Sequence, residues 1–167
     1  MKWPVPVLLF FLLSACSTTE RREQDTAVPV RTAEAHVKNA PYRVRGKKYT
    51  PMSVEAALKY RETGYASWYG GKKRSMKTSS GEYINPQLSM TAAHKTLPMP
   101  CKVKVTCLAT GKSAVVRVNN RGPFHSNRLI DLTSAAACRI GLHGRGISRV
   151  RLEVVSVGDG PHEVFPR

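Results

Sequence analysis

From Tyr65 onward the sequence breaks into six short segments in which apolar and polar residues alternate, at 66–69, 89–93, 102–108, 113–118, 129–132 and 149–155. Alternation with period two turns one face of each strand to a core and the other to water. Six such strands, with turn signals between them, argue for a small closed barrel, which leaves no free sheet edge. Ala109-Thr-Gly-Lys112 is a hairpin turn between two of the strands. Thr133 opens a short Ala-rich helix that Gly141 ends. Another short helix is expected at 53–64, where Ser53 can cap, Glu55 and Lys59 sit four apart, and Gly64 can stop the turn. The expected fold is mainly β, a six-stranded barrel at 64–155 with one or two short helices. Residues 16–63 are then a polar tether carrying the first helix, and 156–167 a loose tail.

The start of the chain bears on location. Met1-Lys2 is followed by an almost wholly apolar run from Val5 to Leu13. That run is too short to span a bilayer, which takes about 20 residues, and matches the apolar region of an export signal. It ends in Leu13-Ser-Ala-Cys16, which resembles the lipobox of bacterial lipoproteins. The resemblance implies a signal peptide at 1–15 and a lipid on Cys16. Ser17, in place of Asp, implies sorting to the outer membrane, facing the periplasm. The expected location is therefore the cell envelope, with the protein anchored to the membrane through Cys16.

The chain carries 27 Lys and Arg against 11 Asp and Glu, a net charge of +16, while 41% of its residues are hydrophobic. The apolar share is enough for a core and argues against wholesale disorder. Residues 63–155 hold fifteen basic and three acidic residues, so most of the charge sits on the expected barrel. Such an imbalance calls for an anionic partner, and export argues against nucleic acid. Beyond Cys16 the cysteines are Cys101, Cys107 and Cys138. If 101–107 is extended, its ends lie roughly 20 Å apart. A disulfide needs Cα atoms within about 7 Å, so any bridge would have to use Cys138. No Cys-x-x-Cys or Cys/His pair at ligand spacing is present, and neither a metal nor a cofactor is expected.

Five blocks carry a wider resemblance. They are Gly64-Tyr-Ala-Ser-Trp-Tyr-Gly70, Thr78-Ser-Ser-Gly-Glu82, Thr91-Ala-Ala-His-Lys-Thr-Leu-Pro98, Val116-Arg-Val-Asn-Asn-Arg-Gly-Pro-Phe124 and Arg128-Leu-Ile-Asp-Leu132. Together they resemble the rare lipoprotein A (RlpA) family over 64–155. The resemblance implies a double-psi β-barrel, related in fold to expansins, that acts on peptidoglycan strands lacking stem peptides. Many members also carry a C-terminal peptidoglycan-binding SPOR domain. This sequence stops about a dozen residues past the expected barrel, so that module is not expected in it.

A lytic transglycosylase needs one carboxyl to protonate the leaving oxygen and then to take a proton from the sugar's own C6 hydroxyl. A hydrolase that uses water typically needs two carboxyls. Three acids lie in the expected barrel. Glu153 fits an outward strand charge. Glu82 sits in a loop where a reactive group can meet a ligand. Asp131 points opposite to Ile130 and Leu132, so it either reaches the groove or pairs with a barrel Arg. By resemblance, His94 orients the carboxylate or holds a sugar hydroxyl. Arg121 either binds a sugar carboxylate or braces its turn. Trp68 and Tyr69 each suit either the core or a sugar-stacking platform, and alternation sends them to opposite faces, so one of the two belongs to the core. Glu82, His94 and Asp131 are thus the catalytic candidates, with Asn120, Arg121 and Tyr69 for substrate binding. One departure matters: the family block usually reads Asn-Asp-Arg-Gly-Pro, and here Asn120 stands in place of the Asp. The main expectation is a lytic transglycosylase, and the alternative is a non-catalytic, expansin-like glycan-binding lipoprotein.

Overall fold

The computed structural model describes residues 38–125, 127–159 and 165–166. The chain separates into a unit at 1–30, outside the described residues, and a unit at 31–167 that holds all of the structure below. The signal run, Cys16 and the first part of the expected tether therefore lie outside the described residues. No helix among the described residues is long and apolar enough to cross a membrane.

Six strands form the closed barrel: β3 (Arg61–Tyr69), β6 (Thr91–His94), β7 (Cys101–Cys107), β8 (Ser113–Asn120), β9 (Arg128–Thr133) and β10 (Ser148–Val157). Two two-stranded ribbons flank it, β1 (Tyr42–Val44) with β2 (Lys47–Tyr49), and β4 (Met76–Lys77) with β5 (Tyr83–Ile84). Around the barrel the order is β10-β3-β9-β6-β8-β7. β3 pairs with β9, and β6 with β8, in parallel, while the other neighbours are antiparallel. This is a double-psi β-barrel, mainly β, with two short α-helices, α1 (Val54–Leu58) and α2 (Ser134–Arg139).

The alternation that marks the strands also builds the core. On β7, Cys101, Val103, Val105 and Cys107 are buried, and on β10 Ser148, Val150, Leu152 and Val154 face inward with them. Ile130, Leu132, Ala66, Ala92, Val116 and Val118 complete the barrel interior. The three cysteines 101, 107 and 138 are free, and burial pushes the Cys101 thiol up to about 12. At α2, Thr133 occupies the cap position without capping. Its hydroxyl donates instead to the Ser89 and Thr91 carbonyls, tying the helix start to the strand beside it.

Three expected boundaries shift. Ser53 caps α1 and Lys59 pairs with Glu55 at 3.0 Å, but the helix ends at Leu58. Gly64 lies inside β3, where a Cβ would stand 2.9 Å from Leu129 Cβ, so its role is close strand packing rather than a helix stop. From Lys38 on, the segment expected as a tether is docked: Val54 and Ala57 join the core, and Tyr42 donates to the Lys95 carbonyl at 2.7 Å. The first residues of the expected loose tail are held against the barrel. Ser156 and Val157 are buried in β10, and the Gly158 amide donates to the Pro100 carbonyl at 2.9 Å.

Candidate active site

The site lies on the outer face of the β8-β6-β9-β3 part of the barrel. Ala93 of β6 is the register partner of both Asn120 on β8 and Asp131 on β9, and Asp131 in turn faces Ser67 on β3. Strands are spaced about 4.8 Å apart, so Asn120 and Asp131 stand about 10 Å from one another across a low alanine floor. The register between β6 and β8 slips between Ala92 and Ala93. An extra β8 residue at that point re-aims the side chain that follows it. Arg117 and Asn119 thus keep one face of β8, and Asn120 is turned to the cleft.

Asp131 and Tyr69 line a cleft of about 300 Å³ together with Asn120, Arg121, Phe124 and Arg45. The Asp131 Oδ2 accepts from Arg128 Nη2 at 2.9 Å. Its Oδ1 is buried without a hydrogen-bond partner, as is the Tyr69 hydroxyl. Burial raises the Asp131 carboxyl above its ordinary value, against the opposing charges of Arg128, His125 and Lys95. Both options open for Asp131 are therefore realised: it reaches the cleft and it pairs with an arginine. Trp68 takes the core-side role, stacked on His143 with ring centroids 4.1 Å apart.

Glu82 occupies a different place, in a cleft lined by Ser80, Arg117 and Asp159. Its Oε2 accepts from Arg117 Nη1 at 2.6 Å and from Asn119 Nδ2 at 2.9 Å. Burial alone would raise its carboxyl, but the hydrogen bonds from Arg117, Asn119 and Ser80 outweigh it and hold the group below the usual range. Arg117 also binds Asp159 through Nε and Nη2. The barrel face thus gathers a carboxylate from the segment expected as a tail. The 42-residue separation of that pair left no local signal in the sequence.

Between the two carboxylate clefts lies a third, of about 550 Å³, lined by Lys38, Tyr42, Ser79, Met99, Arg121 and Phe124 among others. It shares Arg121 and Phe124 with the Asp131 cleft, and Lys38 and Met99 with the Glu82 cleft. The structure therefore sets Glu82 and Asp131 in separate clefts linked by a continuous wall.

His94 does not reach a ligand position. It is 3% exposed, and its Nδ1 accepts the amides of Thr96 at 3.2 Å and Leu97 at 3.0 Å. An accepting Nδ1 leaves the ring proton on Nε2, which lies 3.2 Å from the Tyr60 hydroxyl. Burial, aided by the charges of Lys95 and Arg121, lowers the imidazole to about 3, so the ring is neutral. The turn it holds is the one whose Leu97 carbonyl accepts from Arg121 Nη1. His94 is a positioning residue for Arg121, through the 94–97 turn, rather than a group that meets sugar in this conformation.

Arg121 itself braces the loops: Nη2 donates to the Lys38 carbonyl at 3.0 Å, and its guanidinium lies 5.2 Å from the Tyr42 ring centroid. Asn120 clasps the loop that leads to Glu82. Its Oδ1 accepts from Ser79 N, Ser79 Oγ and Arg121 N at 2.9, 2.6 and 2.9 Å. All three are donors, so an aspartate there would be held in its charged form, and Asn120 preserves the same contacts. Among the described residues no group of three or more His, Cys, Asp and Glu stands where it could hold a metal ion.

The barrel has relatives among known proteins. Residues 61–152 match the DPBB_1 family, described as lytic transglycolase. The endolytic peptidoglycan transglycosylase RlpA of Neisseria meningitidis serogroup B is 43% identical over 151 residues, which are 90% of this chain and 62% of that protein. Its namesake in Rickettsia felis is 42% identical over 160 residues, covering 87% of this chain and 68% of the other. That of Pseudomonas aeruginosa strain UCBPP-PA14 is 52% identical over 117 residues, 70% of this chain and 33% of its own. The chain thus spans about three fifths of the length of the Neisseria relative.

Proposed function

Because the chain belongs to the RlpA family of double-psi β-barrel proteins, we propose that it is an endolytic peptidoglycan lytic transglycosylase acting on glycan strands without stem peptides. Asp131 is the acid and base of the reaction. The observation that carries this is its environment: a carboxyl raised by burial, with Oδ1 unpartnered, on the floor of an open cleft. A substrate that dries the cleft deepens the burial and favours the protonated form further. Protonated Asp131 gives its proton to the glycosidic oxygen that leaves C1 of the muramoyl sugar. The resulting carboxylate takes the proton of the C6 hydroxyl as that oxygen bonds to C1. Asp131 returns to its starting state, and the products are a 1,6-anhydromuramoyl end and a free 4-hydroxyl, with no water consumed.

Glu82 is ill suited to that task, since Arg117 and Asn119 hold it ionised. It shapes the far end of the groove instead. Mass spectrometry of digests of stem-free strands separates the two carboxylates. Asp131→Asn should lower the rate of anhydro-product formation by at least about 100-fold, the usual scale for losing a general acid. Glu82→Gln should retain measurable activity. Loss with Glu82→Gln and survival with Asp131→Asn would move the acid to Glu82. If wild-type protein binds strands and cuts none, the non-catalytic alternative, which Asn120 favours, holds.

The same proposal places the protein at the outer membrane, facing the periplasm and anchored through lipid on Cys16, on the strength of the apolar run and Leu13-Ser-Ala-Cys16. A clickable fatty acid should label the wild type and leave Cys16→Ala unlabelled; equal labelling of both would refute the anchor. Peptidoglycan is then the partner within reach, and nucleic acid is not.

A further inference from the structure

The Asp131 cleft is lined by several cations, and they are not equivalent. Arg128 is engaged with Asp131, and Arg121 gives Nη1 and Nη2 to the Leu97 and Lys38 carbonyls. Arg45 lines the same cleft from the tip of the β1-β2 hairpin. Among the described residues its guanidinium has no hydrogen-bond or ion-pair partner. Its neighbours on the hairpin are occupied: Arg43 donates to the Gly46 carbonyl at 3.4 Å, and Lys47 lies 5.6 Å from the Tyr49 ring centroid.

Arg45 also holds an unfavourable backbone. Its φ is +50°, followed by Gly46 at +77°, and it is the one non-glycine residue with positive φ among the described residues. Two consecutive left-handed residues make the turn that best suits a tight hairpin. Asn, Asp or Gly fills the first of these positions at least cost, and arginine is a poor choice for folding alone. Strain of this kind, where the structure enforces it, marks sites of use.

The structure does enforce it. Tyr42 and Tyr49, cross-strand partners, stack with centroids 5.3 Å apart, and both pack against Phe124 of the cleft wall. The hairpin tip is therefore fixed at the cleft, and an unpartnered planar cation lines it together with Asp131, whose Oδ1 is buried without a hydrogen-bond partner. A guanidinium so presented matches a carboxylate by geometry as well as charge.

We propose that Arg45 binds the free lactyl carboxylate of a muramoyl residue and thereby sets the preference for stem-free strands. The inference rests on the glycan-cleaving function proposed above. A stem peptide converts that carboxylate to a neutral amide, removing the charge that Arg45 meets and adding bulk at the hairpin. The residue reads the chemical difference between the two kinds of strand.

The test compares the binding of stem-free strands with that of the same strands after carbodiimide coupling of methylamine to their carboxylates. Wild-type protein should bind the carboxylate form roughly tenfold more tightly than the amidated form, the scale of one charge-assisted pair. Arg45→Asn suits the turn and should melt no lower than wild type. It should bind both strands at about the affinity of wild type for the amidated form, reducing discrimination to about twofold or less. Arg45→Gly should behave alike, and Arg45→Lys should fall between. If both neutral variants keep the wild-type ratio, or if wild type shows no discrimination, Arg45 is not the reader while glycan binding stands. If wild type binds neither strand, the function proposed above fails and this inference fails with it.

Discussion

Asp131 and Glu82 are both carboxylates on one groove, and their surroundings push them in opposite directions. Asp131 is raised by burial, so its ionisation costs stability. That cost is absent below the unfolded value of about 3.9 and complete once pH has risen past the folded value. Asp131→Asn should therefore melt no lower than wild type at pH 7, with the difference shrinking as pH falls toward 4. Glu82 is depressed by its donors, so it contributes stability above about pH 4.3 that is lost as pH falls through its folded value. Glu82→Gln should lower the melting temperature at pH 7 and much less at pH 3. For activity, kcat/KM should fall as pH rises past the Asp131 value; a profile that instead rises there would remove Asp131 from the acid role. At this scale, alternation around Ile130 and Leu132 aimed Asp131 correctly, and the motif blocks drew attention to Glu82 and His94. Neither could tell that Glu82 is clamped by Arg117 or that the His94 ring is spent on two backbone amides. Those facts depend on partners that the strand order brings together.

At the scale of elements, most barrel strands were legible by an alternating pattern several residues long and α2 by its Ala-rich run, while β6 is buried at all four positions and shows no alternation. The β1-β2 and β4-β5 ribbons were not legible. Their strands are two or three residues long, and the first is held by aromatic contacts to Phe124 that local sequence does not reveal. The end of β10 was missed because polar Ser156 fills an inward position and apolar Val155 an outward one, so the sequence loses its apolar-polar alternation although the strand continues. The loop after β3 is seated by a close approach. A Cβ on Gly70, at φ +103°, would lie 2.2 Å from Pro86 Cβ, and the Pro86 carbonyl accepts from the Ala135 amide at 3.0 Å. Gly70→Ala should thus cost about 3 kcal/mol, combining overpacking with backbone strain. Gly81→Ala, at φ +98° with open space around it, carries the strain alone and should cost about 1 kcal/mol. Urea denaturation compares them, and equal losses would contradict the packing account of the 70–86 approach.

For the whole molecule, the net charge of +16 by itself admitted nucleic acid, an acidic membrane surface or an acidic polymer as partner, and the export signal argued against the first. The structure narrows that by arranging three clefts along one wall, from Glu82 past Arg121 to Asp131. A row of this kind suits a chain of sugars, and its cations suit one that bears carboxylates. The central claim is that this groove cleaves such a chain by intramolecular attack, with Asp131 moving the proton. Digestion of stem-free glycan strands in heavy-oxygen water, read by mass spectrometry, addresses it most directly. The account predicts anhydromuramoyl ends free of the heavy isotope, formed by wild type and lost in Asp131→Asn. Reducing ends that carry the heavy isotope, or strands bound and left whole, would contradict it.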